Sequence, residues 1–292
     1  AVTLGTCYDD WCLSQIAKKL NFDDDYNYFL NASYNYRNLF NEETSFFHPK
    51  DKNGNFIMPF DYRYAGGQGG REYYDENNGW IYRWDVAHRI SDLITLMGGK
   101  EQFIRNLDDL FTEPLGMEKF LFYRQFPDHT GNVGQFSMAN EPSLHIPYLY
   151  NYAGKPWMTQ KRIRQLLKQW FRNDLMGVPG DEDGGGLSAF VVFSSMGFYP
   201  VTPGIPVYNI GSPLFQSIKI DLKNGKTFEI EALNNSEENK YIQSATLNGK
   251  KWNKPWFSHD EIKNGGKLIL IMGNRANPEW GSSPESVPPS GE

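Results

Sequence analysis

The segment Gly180-Asp181-Glu182-Asp183-Gly184-Gly185-Gly186 sets three acids in a row between glycines. Glycine allows sharp turns and close backbone approach to a ligand. In an extended backbone Asp181 and Asp183, two apart, would point to one side. Crowded carboxylates raise one another's pKa, which suits a general base. The bland alternative is a solvated acidic turn capping the next helix. An EF-hand calcium loop is excluded, because the later ligand positions are apolar or absent. A second segment, Asn140-Glu141-Pro142-Ser143, stands at a predicted helix start. Asn140 is there either a plain N-cap, with Glu141 at the positive helix end, or, with Glu141, a source of oxygen ligands for a hard cation such as Ca²⁺. Gln135 and Asp128 lie just upstream and add oxygens. His145 follows Glu141 by four, on the same face of a helix. The third segment, DENNGWIYRWDVAH over 75–88, holds Glu76 among polar and aromatic neighbours that would raise its pKa and keep it protonated. A carboxylic acid near Trp80 and Trp84 is a sensible proton donor to a glycosidic oxygen. The alternative is a capping acid with structural tryptophans; His88 reads as a packed or capping histidine. Inverting glycoside hydrolysis needs an acid and a base roughly 6.5–9.5 Å apart, with a water between.

Composition is consistent with sugar chemistry. Aromatics make up 15% of the 292 residues, and Trp and Tyr offer apolar faces with polar edges that match the C–H faces and hydroxyl rims of sugars. Composition alone equally accommodates an aromatic core. A formal net charge of −6 with no basic stripe excludes a nucleic-acid partner. No apolar run is long enough to span a bilayer. The opening AVTLGTCYDDWC lacks the features of a signal peptide, so the chain reads as an internal piece of a longer protein or as one whose leader has been removed. Cys7 and Cys12 have no partners at zinc spacing and read as packed thiols.

Helices and strands must position these loops. The spacing predicts helices over 8–20, 23–40, 84–97, 101–111, 141–152, 156–171 and 187–195. The stretch 41–78 is long and irregular, which in a compact protein marks function. After Pro203 the pattern alternates, at 218–222, 227–232 and 268–272, with hairpin turns at Asn224-Gly225 and Asn248-Gly249. The chain is thus mainly α with a C-terminal antiparallel β region. Residues 1–203 are expected as a helical-hairpin catalytic region and 204–292 as a β-strand region, with a tail that frays from Asn277. Roughly seven helices fit part of a toroid of helical hairpins and point to a missing upstream portion.

The same segments, in order, resemble glycoside hydrolase family 92, the calcium-dependent exo-acting α-mannosidases. DENNGWIYRWDVAH is similar to the family's E-G-N-x-W-x-Y-x-W segment. NEPSLHIPYLYNYAGKPW, GDEDGGGLSAFVVFSSMGFYPVTPG, YNIGSPLF, LMGGKEQF and NGKTFEIEALNNSEENKYIQSATLNGK also match its stretches. The resemblance runs from Tyr8 to Gly281. It implies part of an (α/α)6 toroid followed by β-strands, with the family's N-terminal β-sandwich domain absent here and expected as a partner region. It implies inverting hydrolysis of terminal α-linked mannose, α-1,2 by preference, from N-glycan-type substrates outside the cytoplasm, whether periplasmic or extracellular. Glu76 matches the general acid. Asp181 and Asp183 match the aspartates that activate water, Asp183 as principal base. Trp80, Trp84 and His145 are substrate-binding candidates. Asn140, Glu141 and Gln135 match the region that holds Ca²⁺. Asn77 and Ile81 stand where the family pattern has Gly and Gln. The competing readings are a non-catalytic carbohydrate-binding fragment, a sugar phosphorylase, for which no phosphate loop is found, and a scaffold.

Overall fold

A computed structural model describes residues 1–66 and 72–291, which form two compact units, 1–143 with Gly291 and 144–290. The first unit opens with helix α1 (Val2–Leu20), whose buried residues Leu4, Cys7, Trp11, Ser14 and Ala17 recur at helical spacing. Asn21, in the left-handed conformation, ends it. Helix α2 (Asp23–Ala32) starts with three aspartates at its positive end and packs against α1. The helix expected over 23–40 breaks at Ser33: a 3-10 turn (Asn35–Leu39) follows, and Tyr36 goes into the core. A two-residue hairpin of β1 (Phe40–Asn41) and β2 (Phe46–Phe47) leads into the irregular stretch. Then come α3 (Gly79–Tyr82), α4 (Ile90–Leu96), α5 (Lys100–Leu110), α6 (Lys119–Gln125) and a second small hairpin, β3 (Asn132–Val133) with β4 (Phe136–Ser137). Helix α6 was not apparent in the sequence; only Phe122 of its residues is buried. His88 is buried against Tyr8, Trp11 and Tyr36, a packed histidine. Cys7 and Cys12 are free thiols, Cys7 in the core.

The stretch 141–152 is not the expected α-helix. It forms two 3-10 turns, Glu141–Ser143 and Ile146–Asn151. Pro142 and Pro147 lack the N–H that would carry an α-helical ladder through these positions. The same-face relation of Glu141 and His145 therefore does not arise.

The second unit contains α7 (Pro156–Trp170), with Pro156 in its first turn, and α8 (Gly186–Met196), closed by left-handed Gly197. Strands β5 (Phe198–Tyr199), β6 (Val207–Ile210), β7 (Ser217–Asp221), β8 (Thr227–Leu233), β9 (Tyr241–Leu247), β10 (Lys250–Lys251), β11 (Trp256–Ser258) and β12 (Gly266–Gly273) follow, with α9 (His259–Ile262) before β12. The larger sheet has the order β10-β9-β12-β8-β7; the smaller runs β11-β6-β5. All pairs are antiparallel except β12 with β8, so the sheet is mixed. Alternation buries Phe228, Ile230 and Ala232 of β8 and Leu268, Leu270 and Met272 of β12 in one core with Phe257. The change from helices to strands near residue 203 lies inside this unit, because α7 packs on β9, where Gln160 Oε1 accepts from Ile242 N at 2.9 Å. The tail does not fray. Trp280 is buried and donates to Trp252 O at 2.9 Å, and Ser286 O accepts from Trp256 Nε1 at 3.0 Å. Burying an aromatic side chain stabilises by about 1.5–3 kcal/mol.

Candidate active site

In the first unit the acid segment is held by Asn78. Its Oδ1 accepts from Trp80 N at 3.1 Å and so starts α3. Its Nδ2 donates to Arg63 O and to Gln135 Oε1, both at 2.9 Å. Gln135 is itself buried and donates to Pro114 O at 2.8 Å. One side chain thus ties the acid segment to the strip that leads to Asn140. Asparagine before a helix is a visible N-cap signal, but its long-range partner is not.

Glu76, two residues before Asn78, is half-buried. Trp80 is half-buried, its ring edge-on to Phe46 at 5.1 Å. Trp84 is a core residue, 1% exposed and edge-on to Phe103. Of the two tryptophans expected to bind substrate, only Trp80 leaves ring surface exposed in this unit. Between these rings lies Arg83. It is buried over Phe46 at 4.2 Å, and its Nε donates to Ser45 O at 2.6 Å. Burial pushes it down to about 9, so it remains a cation at neutral pH. Asp85, after Trp84, is pushed up to about 6 by burial, against the opposing pull of the N-terminal ammonium.

Tyr62 backs the segment. Its carbonyl accepts from Gly79 N at 2.9 Å, and its hydroxyl lies 2.8 Å from His48 Nδ1. His48 Nε2 is 2.6 Å from Ile57 O, which makes Nε2 the donor and Nδ1 the acceptor of the tyrosine proton. Gly66, at φ 115°, has no room for a side chain: a Cβ would stand 2.2 Å from Asn77 O. The two departures from the family pattern, Asn77 and Ile81, are both fully buried. Ile81 acts through packing. Asn77 has neither amide atom hydrogen-bonded among the described residues.

Asn140 is 1% exposed, and neither its Oδ1 nor its Nδ2 has a partner among the described residues. It is therefore not the N-cap of the simple alternative. A buried amide left so costs roughly 1–3 kcal/mol unless something else binds it. Among the described residues, no three or more His, Cys, Asp or Glu cluster as a metal site. The donors on offer are amide oxygens, Asn140 Oδ1 and a remaining lone pair of Gln135 Oε1, beside the exposed Glu141. Neutral oxygens with one carboxylate fit a hard divalent cation and leave positions for water or sugar hydroxyls.

In the second unit the acidic loop is not extended. Asp183 has φ 56° and opens a 3-10 turn, Asp183–Gly185, so the same-side geometry expected of Asp181 and Asp183 is corrected. Gly184 and Gly185, also at positive φ, permit this path. The middle acid takes the capping role: Glu182 accepts from Gly185 N at 2.6 Å and from Ser188 N at 3.2 Å. Hydrogen bonding from the Ser188 hydroxyl first, then from the Ser188 and Gly185 backbone N–H groups, holds its carboxyl below the usual range. Asp181 and Asp183 are exposed. His145, half-buried, precedes the 3-10 turn at Ile146.

A family profile described as the glycosyl hydrolase family 92 catalytic domain matches residues 1–274, and the chain belongs to that family. An uncharacterized secreted glycosidase of Arthroderma benhamiae is 33% identical over 312 residues, 99% of this chain and 37% of that protein. A family GH92 α-mannosidase from Bacteroides thetaiotaomicron, in complex with mannoimidazole, superposes with a TM-score of 0.90 at 37% identity, over 97% of this chain and 37% of that one. A family GH92 inverting mannosidase of the same organism gives 0.84 and 37%, over 98% and 39%. The chain therefore spans little more than a third of these relatives. Its helices and sheets are those of family neighbours. No helix among the described residues is long and apolar enough to cross a membrane.

Proposed function

We propose that the protein containing this chain is an exo-acting α-mannosidase that hydrolyses terminal α-linked mannose, α-1,2 by preference, with inversion. The observation that carries this reading is family membership over residues 1–274, joined to a half-buried Glu76 on a segment fixed by three hydrogen bonds of Asn78. Glu76 gives its proton to the leaving oxygen. Asp183, helped by Asp181, orients a water and takes its proton. Trp80 presents a ring to the sugar, and His145 a polar group. Asn140, Glu141 and Gln135 would hold Ca²⁺, which supplies positive charge for vicinal hydroxyls when bound. The orphaned amide of Asn140 supports that assignment.

The neighbours' description as mannosidases supports the substrate. The name of the secreted relative supports action in the periplasm or outside the cell, where N-glycan-type material is the substrate we infer. The domain that precedes this region in the longer relatives is the expected intramolecular partner. A carbohydrate-binding role without catalysis is the second reading, and it is favoured by the exposure of Asp181 and Asp183 within this unit.

The test is Glu76→Gln in the full-length protein. Turnover of an α-mannobiose is expected to fall by about 10²–10⁴-fold, while a mannoside with an activated leaving group, which needs no acid, keeps most of its rate. Equal losses on both substrates, or none on either, would remove Glu76 as the acid.

A further inference from the structure

The second unit has an open groove of about 710 Å³ between α7 and the 214–240 region. Its wall carries Lys161, Arg164, Lys168 and Lys240. The first three stand at i, i+3 and i+7 of one helix, hence on one face. Like charges at that spacing destabilise a helix, and the chain as a whole is acidic, with a net charge of −6.

Glu237 pairs with Lys168, and Glu238, held below its usual range first by hydrogen bonds from its own backbone N–H and from Ser236, also feels the charges of Lys240 and Lys168. Lys161 and Lys240 have no ion pair among the described residues. Arg164 is half-buried, yet all its hydrogen-bond acceptors are neutral: Pro213 O at 2.6 Å, Asn235 Oδ1 at 3.0 Å and Ser236 O at 2.6 Å. Asn235 is in turn fixed by Pro213 O and Phe215 O. These bonds fix the guanidinium with no carboxylate among its hydrogen-bond partners, and Glu237 on the groove wall offsets only part of its charge. Phe171 and Leu214 give the groove apolar surface.

We propose that this groove is a second carbohydrate site, selective for a saccharide carrying a sulfate or phosphate ester. The anion would sit among Lys161, Lys240 and the rigid Arg164, and a C–H face of the sugar would lie on Phe171. That the anion is carried on a sugar rests on the glycosidase reading above. The preference for an anion rests on the charges alone.

The test uses the full-length protein and three probes that contain no mannose: N-acetylglucosamine 6-sulfate, N-acetylglucosamine and inorganic sulfate, each titrated by NMR. The sulfated sugar is expected to bind more tightly than either other probe and to weaken as salt is added. Lys161→Ala combined with Lys240→Ala is expected to weaken it roughly tenfold and to leave mannoside turnover unchanged. Arg164→Ala, which frees three acceptors, risks the fold; the lysine pair avoids that risk. Equal binding of the sulfated and neutral sugars, sulfate binding as tightly as the sulfated sugar, or a double variant that binds like wild type would each overturn the site. Failure of mannoside turnover in the wild type would overturn the catalytic reading and leave these titrations intact.

Discussion

Replacing Asn78 separates a simple helix cap from a tie that holds the acid segment. Loss of the cap to Trp80 N alone costs about 1 kcal/mol. Asn78→Ala also strips Arg63 O and Gln135 Oε1 of a buried donor, at roughly 1–3 kcal/mol each. The total, about 3–7 kcal/mol, is a large part of a typical domain's 5–15 kcal/mol. Asn78→Asp keeps the capping oxygen and removes both donors, and it sets a carboxylate against two carbonyl oxygens. It should therefore be at least as destabilising as Asn78→Ala. Asn78→Ser, a cap with a smaller reach, should fall between wild type and alanine. Urea unfolding followed by near-ultraviolet circular dichroism measures all three, and mannoside turnover below the unfolding range reports on Glu76 two residues earlier. An Asn78→Asp variant as stable and active as wild type would refute the reasoning, because it would reduce Asn78 to a cap.

Glu182 should lend the start of α8 a pH-dependent protection. Its carboxyl is held below the ordinary Glu value, so the stabilisation is present above that value and is lost as pH falls through the lower folded one. Amide exchange at Gly185 and Ser188 should accelerate in acid, and Glu182→Gln should weaken the protection at neutral pH; unchanged exchange in the variant would rule out the cap. His129 donates Nε2–H to Gln135 O at 2.7 Å, and burial pushes it down to about 4. His88 is likewise held at about 4. Unfolded histidines take up protons between about 6.5 and 4 that the folded ones refuse, so stability falls as pH drops across that window. Asp85, raised to about 6, opposes this with one proton. Replacing His129 by Gln, which keeps a donor, should flatten the slope by about 1.4 kcal/mol per pH unit; denaturant midpoints at pH 4.5 and 6.5 check it.

Much of the fold was legible where one period governs one element. Helices α7 and α8 and strands β7, β8 and β12 follow their apolar spacing closely. Strand β9 was missed: its partner β12 shifts register between Ile271 and Met272, and it buries Ile242, Ala245 and Leu247 in broken alternation. The prolines at 142 and 147 signalled turns that apolar spacing had masked. The tail looked like a linker because its Ser, Pro and Gly content outweighs its one aromatic, Trp280, and hides the backbone bond that Ser286 makes. At the site, residue types were legible and partnerships were not. Asn78 with Gln135, and Asn140 without a side-chain partner among the described residues, depend on contacts that sequence spacing does not encode. The buried state of Trp84 was equally hidden, because Trp80 and Trp84 read alike as aromatics near an acid.

The central claim is tested most directly by incubating the full-length protein with α-1,2-mannobiose, with Ca²⁺ and then with excess chelator, and following the released sugar by NMR. β-Mannose is expected to appear first, and chelation is expected to abolish its release. Release of α-mannose, or release indifferent to the chelator, would contradict the claim.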